Sequence, residues 1–471
     1  MDKKSLNALL KPRSVAVVGA SPRSNVGGRM YRNMISAGFE GDLFPVNPNY
    51  DEIDGARCFP NIDSLPMVPD CVSFAVPYQA VFEPLEAAAR RGVRSAVVVA
   101  EGFDDAATDA GRERQKRLAQ IANDHIMAVS GPNCMGLIGL KAKFATAFTN
   151  LPKGLVTGSV SVVSQSGGLL NAVIELGHNR TLGFNYLLSA GNEAVVSSAD
   201  FIDFLADDPG TSVILNIVEG IKDGDRYRQA LSRAVARKPV IVLKLGRTDA
   251  GRGAALAHTG NLAGKQAIYD GVFKESGATQ VRTIDELIET AAFFSRVKPP
   301  KGDRIFVFSV SGGATVLAGD LAQDAGLNMP PICRKTDRAL QKILEVEHPF
   351  QNPMDVVGAP RLAKGDNLTR VLNVLKADPN YDLIAFVMVA QRELSESHRR
   401  LQEQYQAVAE KSAKPIVLIS EMNWQPAERP TLDGPFISGT LDLGMKALKN
   451  LVDFRAHQRQ NGKRRRKRKK P

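Results

Sequence analysis

One local pattern recurs along this chain and constrains its fold more than any other feature. A short apolar run rich in β-branched residues empties into a turn of Gly, Ser or Pro, and a stretch of helical periodicity follows. In residues 13–150 the runs Ser14–Val18, Asp42–Val46, Cys71–Ala75, Ser95–Val99 and Met127–Ser130 read as strands, with helical patterns near 27–37, 80–91 and 112–122 between them. Alternation of this kind predicts an α/β fold: a parallel sheet with helices on both faces, and ligands at the carboxyl ends of its strands.

Those ends carry distinctive residues. Gly19-Ala20-Ser21-Pro22 follows the first strand, Asn47-Pro48 the second, Pro77 the third and Glu101-Gly102-Phe103 the fourth, while the last runs into Gly131-Pro132-Asn133-Cys134-Met135-Gly136. Gly19 does not begin a G-x-G-x-x-G; the next glycines are Gly27 and Gly28, after a longer loop. Asn47 also stands where an acid would bind a ribose 2′-hydroxyl, so the pattern argues against an NAD-dependent oxidoreductase.

A second alternating unit begins at Ser159. The strand Val160–Val163 leads to Ser164, Gln165, Ser166, Gly167 and Gly168, and then to an apolar helical stretch from Leu169 to Leu176. Hydroxyls and free amides at a helix start form an anion site, because the first turn has unpaired N–H groups and the positive end of the helix dipole. Further strands are predicted at 184–188, 213–217 and 240–245. One ends in Glu219-Gly220. The next empties into a Gly- and Ala-rich stretch, Gly246–Gly264, read as a loop carrying a single imidazole, His258. In a parallel sheet these ends share one rim, where a carboxylate at Glu219 can fix the tautomer of His258 and leave its other nitrogen free to attack.

After the linker Val297–Asp303 the pattern returns: a strand over 304–310, then Ser311, Gly312 and Gly313 opening a helix, as in the second unit. Asn352-Pro353-Met354-Asp355, strands over 383–389 and 415–419, and a closing helix over 439–454 complete it. At 471 residues the chain is too long for one core. The predicted organisation is 1–150, 151–300 and 301–455, followed by a disordered basic tail, 456–471.

Composition adds limits. Four scattered cysteines indicate neither a zinc site nor a disulfide framework, and no run is long and apolar enough for a signal peptide or a membrane span, so a soluble, cytoplasmic protein is expected. The net charge is +11, but ten Lys/Arg and no acid lie in 455–471, leaving +1 for everything before them. The basic balance therefore belongs to the tail, which could contact nucleic acid or an anionic surface non-specifically. No aromatic interleaves it, which is unsuited to base recognition.

Taken together, these residues resemble the alpha-subunit part of NDP-forming acyl-CoA synthetases, the ADP-forming acetate–CoA ligase type related to succinyl-CoA synthetase. The likeness rests on Val17–Ser21, Asn47-Pro48, Gly131–Cys134 with Gly136, Ser164–Gly168, Gly191-Asn192-Glu193 with Asp200 and Leu205–Pro209, His258–Gly264, Ser311–Gly313 and Asn352–Asp355. It implies a Rossmann-like CoA-binding domain followed by two flavodoxin-like, doubly wound domains. It also implies a phosphate-relayed reaction. A carboxylic acid becomes an acyl phosphate, CoA converts that to a thioester, and His258 carries the phosphoryl group, oriented by Glu219.

On the same resemblance, Ser164–Gly168 and Ser311–Gly313 bind phosphate. CoA lies near Gly19, Ala20, Ser21, Asn47, Pro48 and Pro77, its thiol directed toward Asn133 and Cys134, with Cys134 a packing residue. ATP/ADP and Mg2+ belong to an ATP-grasp module, expected on a separate beta subunit, so a homo- or hetero-oligomer is implied. The alternative is a CoA or acyl-CoA binding protein without the nucleotide half-reaction. Retention of both His258 and Glu219 favours the ligase, since CoA binding alone needs neither.

Overall fold

Strands whose every side chain is apolar must be covered on both faces, and that decides the architecture. The computed structural model describes residues 2–259, 266–356, 358–388, 395–420, 437–438 and 440–468. They form two compact units, 1–284 and 285–471.

The first unit holds two sheets. In the first, five parallel strands lie in the order Asp42–Val46, Ser14–Val18, Cys71–Phe74, Ser95–Val98, Ala128–Ser130. Because the first strand in sequence lies between the second and third, the connections leave it in opposite directions and open a crevice at the carboxyl ends. Gly19 makes the first turn at φ 87°, where an added Cβ would come within 2.6 Å of the Ala75 carbonyl oxygen. The helix Val26–Ser36 then packs so closely that a Cβ on Gly27 would strike the Gly19 carbonyl.

The second sheet runs Thr279–Val281, Val240–Lys244, Val213–Val218, Thr157–Ser164, Phe184–Ser189, all parallel. It continues with Gly136–Gly139 and Phe144–Ala147, which are antiparallel. This last hairpin differs from the sequence reading, which placed residues before 151 with the first sheet. Its strands are joined by a short turn and so pair with each other, and Gly139 finds a partner in Tyr186 at the free edge of the second sheet.

A second difference concerns residues 249–259, which the sequence reading assigns to a Gly- and Ala-rich loop. They form a helix, Asp249–Thr259. Alanines outnumber glycines there, and Thr248 starts the helix by accepting the Gly251 N–H (3.2 Å) and, through its carbonyl, that of Arg252 (2.8 Å).

In the second unit five parallel strands lie in the order Met354–Asp355, Ile305–Ser309, Leu383–Met388, Ile416–Ser420, Ile437–Ser438. Its core is aromatic: Phe308 stacks on Phe386 with centroids 4.7 Å apart, and Phe306 meets Tyr381 edge-on. The closing helix, Leu441–Arg468, buries Leu441, Met445, Leu448, Leu451 and Val452. It continues 14 residues beyond the predicted end at 454, into the segment expected to be a disordered tail. Lys, Arg and Gln are good helix formers, and no proline interrupts them before Pro471.

Candidate functional site

The loops at the carboxyl ends of the two sheets of the first unit enclose a cleft of about 1340 Å³. Its walls come from 75–79, 99–102 and 133–135 of the first sheet's side, with the helix start Asn25–Gly27. Opposite stand 165–168, 191–193, Glu219 and Lys222 of the second. Every one of these stretches follows the end of a parallel strand or opens the next helix, as the topology requires.

The two sides are pinned to each other. The Ser189 hydroxyl accepts the Met135 N–H at 3.0 Å, and the Asn133 amide reaches Asn192 Oδ1 at 3.2 Å. Asn192 in turn donates to Asp105 Oδ1 (2.8 Å) and Gln115 Oε1 (3.0 Å), and its carbonyl accepts from Lys222 Nζ (2.7 Å).

One end of the cleft is the start of helix Gly167–Asn179. Ser164 is fully buried and its hydroxyl donates to the Ser166 carbonyl at 2.7 Å, holding the turn. Ser166 is the N-cap, its hydroxyl accepting the Leu169 N–H at 3.4 Å. The helix leaves the N–H groups of Gly167 and Gly168 without intrahelical partners, and the macrodipole makes that end positive. A Cβ on Gly167 would press on Met135 at 3.2 Å, while one on Gly168 would stand in open space. Two glycines thus keep the amides accessible to an anion.

Gln165 is engaged differently from the sequence expectation. Its side chain lines the cleft, yet its Oε1 accepts the Glu219 and Gly220 N–H groups (2.6 and 3.1 Å), and its Nε2 donates to the Gly220 carbonyl (2.7 Å). It clamps the Glu219 loop onto the helix start. Behind Glu219 stands Lys244, 1% exposed at the end of its strand. Its ammonium donates to the carbonyls of Glu219 (2.7 Å) and Leu245 and sits 4.5 Å from the Tyr269 ring centroid. Burial pulls its pKa down from 10.5 to about 8 against the opposing pull of Glu219.

Of the residues expected to hold CoA, Pro77, Asn133 and Cys134 line the cleft; Gly19, Ala20, Ser21, Asn47 and Pro48 do not. Gly27 packs against the Gly19 turn, and the Asn47 amide donates to the Ala20 carbonyl at 2.8 Å. Cys134 is buried, donates to the Val98 carbonyl at 3.4 Å, and has its thiol pushed up to about 12 by burial, the properties of a packing residue.

Ser311, Gly312 and Gly313 belong to the second unit. Ser311 caps helix Gly312–Asp324 and borders a smaller cavity of about 380 Å³ with Ala359, Pro360, Ser395 and His398. The backbone of His258 lies in helix Asp249–Thr259, near its end; its side chain, and residues 260–264, lie outside the described residues.

One cleft residue carried no assigned role in the sequence reading. Glu193, quoted there only within Gly191-Asn192-Glu193, lines the cleft in a left-handed conformation at φ 52°. The Ser198 N–H donates to its Oε1 at 2.9 Å, as does the Ser198 hydroxyl. Burial pushes its carboxyl above the usual range, although Ser198, Gln165 and Lys222 favour the charged form. The available signal was its place, an acid just past a strand end like Glu219.

Comparison with known proteins places this arrangement in context. Residues 13–139 match the CoA binding domain, and residues 157–294 match the succinyl-CoA ligase like flavodoxin domain. The chain is 32% identical over 385 residues to the alpha subunit of acetate–CoA ligase [ADP-forming] II of Pyrococcus furiosus, covering 82% of each. It is 32% identical over 384 residues to acetate–CoA ligase [ADP-forming] I of Archaeoglobus fulgidus, covering 81% of this chain but only 55% of that protein's length. Among solved structures, the dinucleotide-forming acetyl-coenzyme A synthetase 1 of Candidatus Korarchaeum cryptofilum, in complex with phosphate and ADP, aligns with a TM-score of 0.86. The identity is 28%, over 97% of this chain and 98% of that one. The shared domains and the extent of the likeness to a whole alpha subunit lead to one conclusion: the chain belongs to the ADP-forming acetate–CoA ligase family and corresponds to its alpha-subunit portion.

Proposed function

We propose that the chain is the alpha-type part of an acid–CoA ligase, forming an acyl-CoA from a carboxylic acid and CoA with ATP consumed to ADP and phosphate. The observation that carries this reading is the single cleft in which the strand-end loops of a CoA-binding sheet face a serine-capped helix start and the loop of Glu219. CoA occupies the side bordered by Pro77, Asn133 and Cys134. Phosphate oxygens take the Gly167 and Gly168 amides, which supply charge stabilisation where the acyl phosphate forms and breaks. Glu219 orients the imidazole of His258, which receives the phosphoryl group. Ser311–Gly313, in the second unit, offers a phosphate-binding helix start of the same kind.

The nucleotide step belongs to an ATP-grasp partner, a beta subunit holding ATP/ADP with Mg2+. With it go a hetero-oligomeric enzyme and a cytoplasmic setting; no helix among the described residues is long and apolar enough to cross a membrane. The basic end of the chain adds non-specific affinity for polyanions.

The test is to incubate the purified chain with an acyl phosphate, or with acyl-CoA plus phosphate, and seek acid-labile phosphate on His258 by mass spectrometry. Labelling is expected, and His258→Ala should abolish it while CoA binding by calorimetry persists. CoA binding with no phosphate on His258 across a panel of acyl groups would replace this reading with that of a non-catalytic CoA-binding protein.

A further inference from the structure

Thioester formation needs more than a phosphate site. A CoA thiol has an ordinary pKa of about 8.5, so near neutral pH only a few per cent is the nucleophilic thiolate. A base placed between the thiol and the acyl phosphate would supply the rest. Within the cleft, Cys134 cannot, being buried and inert. The Lys222 ammonium is taken by the Asn192 carbonyl.

Glu193 stands where the two halves of the cleft join. On one side its loop is stitched to the 131–133 turn: the Asn192 N–H donates to the Pro132 carbonyl (2.9 Å), and the Ala194 N–H to that of Gly131 (3.1 Å). Gly191 approaches so closely that a Cβ would lie 2.3 Å from the Pro132 oxygen. On the other side the Gln165 side chain, at the start of helix Gly167–Asn179, lies near enough to favour the charged form of Glu193. The Glu193 carboxylate also accepts the N–H of Ser198, the first residue of helix Ser198–Asp207, while Ser197 and Asp200 form the capping box of that helix. A non-glycine residue held in the left-handed region, in the cleft and beside both binding halves, is the kind of conformational outlier that function explains.

We propose, resting on the ligase reading above, that Glu193 is the general base of the thioester-forming step. Its carboxylate takes the proton from the CoA S–H, the sulfur electron pair attacks the carbonyl carbon of the acyl phosphate, and the C–S bond forms. The C–O bond to phosphate then breaks, phosphate leaves with that bonding pair, and the proton on Glu193 passes to solvent or phosphate. In reverse, protonated Glu193 returns the proton to the departing sulfur. Burial, which raises this carboxyl, brings it closer to the thiol it must deprotonate. The charged and titratable groups around it are Lys222 and Glu219 on the loop after strand Val213–Val218, Tyr227 on the helix that follows that loop, and Asp104 and Asp105 from the first sheet's side of the cleft.

The experiment uses the full chain, CoA at saturation and a panel of acyl phosphates beginning with acetyl phosphate. Thioester formation is followed across about pH 5 to 9. Wild type should show an acid limb displaced above the ordinary carboxylate range. Glu193→Gln should lose roughly 100- to 10,000-fold near neutral pH, with a rate that climbs about tenfold per pH unit toward the thiol pKa of about 8.5. CoA affinity should be unchanged, and Glu193→Asp should recover part of the rate and the wild-type shape. A merely structural role would lower the rate equally at all pH values. That result, or an undiminished rate in Glu193→Gln, overturns the proposal. If Glu193→Gln no longer binds CoA, the profile of Glu193→Asp decides in the same way. Wild type that binds CoA but forms no thioester from any acyl phosphate would overturn the ligase reading itself, and the assignment with it.

Discussion

Replacing Gln165 by alanine removes three hydrogen bonds at once: two accepted from the Glu219 and Gly220 N–H groups and one donated to the Gly220 carbonyl. Each is worth about 1 kcal/mol net, and the site is only partly buried, so water recovers some of the loss. A net cost of roughly 2 kcal/mol remains, which corresponds to about 30-fold if it falls wholly on the placement of Glu219. The assay is single-turnover labelling of His258 from acyl-CoA and phosphate. Labelling of Gln165→Ala should slow by about that factor, with only a small drop in melting temperature, because the lost bonds tie down one loop rather than a core. Gln165→Glu is a sharper probe. It keeps both acceptors but loses the donor and sets a negative charge beside the helix start, so phosphate should bind more weakly than in Gln165→Ala. Labelling of Gln165→Ala at the wild-type rate would refute the idea that this clamp positions Glu219.

Other expectations follow from the same geometry. Lys244 has a folded pKa of about 8 against 10.5 when exposed, so the unfolded chain binds the extra proton between these values. Its contribution to stability is therefore least favourable below pH 8 and improves as pH rises toward 10.5, by at most on the order of 3 kcal/mol. Lys244→Met should remove this rise when melting temperatures of the two proteins are compared across that range; parallel curves would count against a buried, pKa-shifted amine. Deleting 459–471 should leave His258 labelling and thioester formation unchanged while weakening binding to a DNA duplex. The slope of log K against log salt should also become shallower by about 0.9 for each DNA phosphate that the segment neutralises in the full chain. A truncated protein that is catalytically dead would show the basic segment to be part of the core machinery.

The local grammar of this fold is written in consecutive residues. β-Branched runs such as Val213–Val218 declare buried parallel strands, and Ser166 followed by two glycines declares a helix start open to anions, because periodicity, capping and turn chemistry act over a few positions. Glu219 and the Ser164–Gly168 turn were legible for the same reason. The helix around His258 was not, since its glycines suggest a loop while the alanines between them and Thr248 favour a helical turn. Nor was the membership of the Gly136–Gly139 and Phe144–Ala147 hairpin, which depends on the second sheet having a free edge beside Phe184–Ser189. What tertiary structure alone decided is what faces what. Asn133 meets Asn192 across 59 residues, and Gln165 gives its side chain to a loop 54 residues on. Lys244 loses its water beside Tyr269, and Glu193 arrives between the 131–133 turn and the start of helix Gly167–Asn179. Sequence determines where each strand ends; strand order determines which ends become neighbours, and the chemistry of the cleft is made by those neighbours.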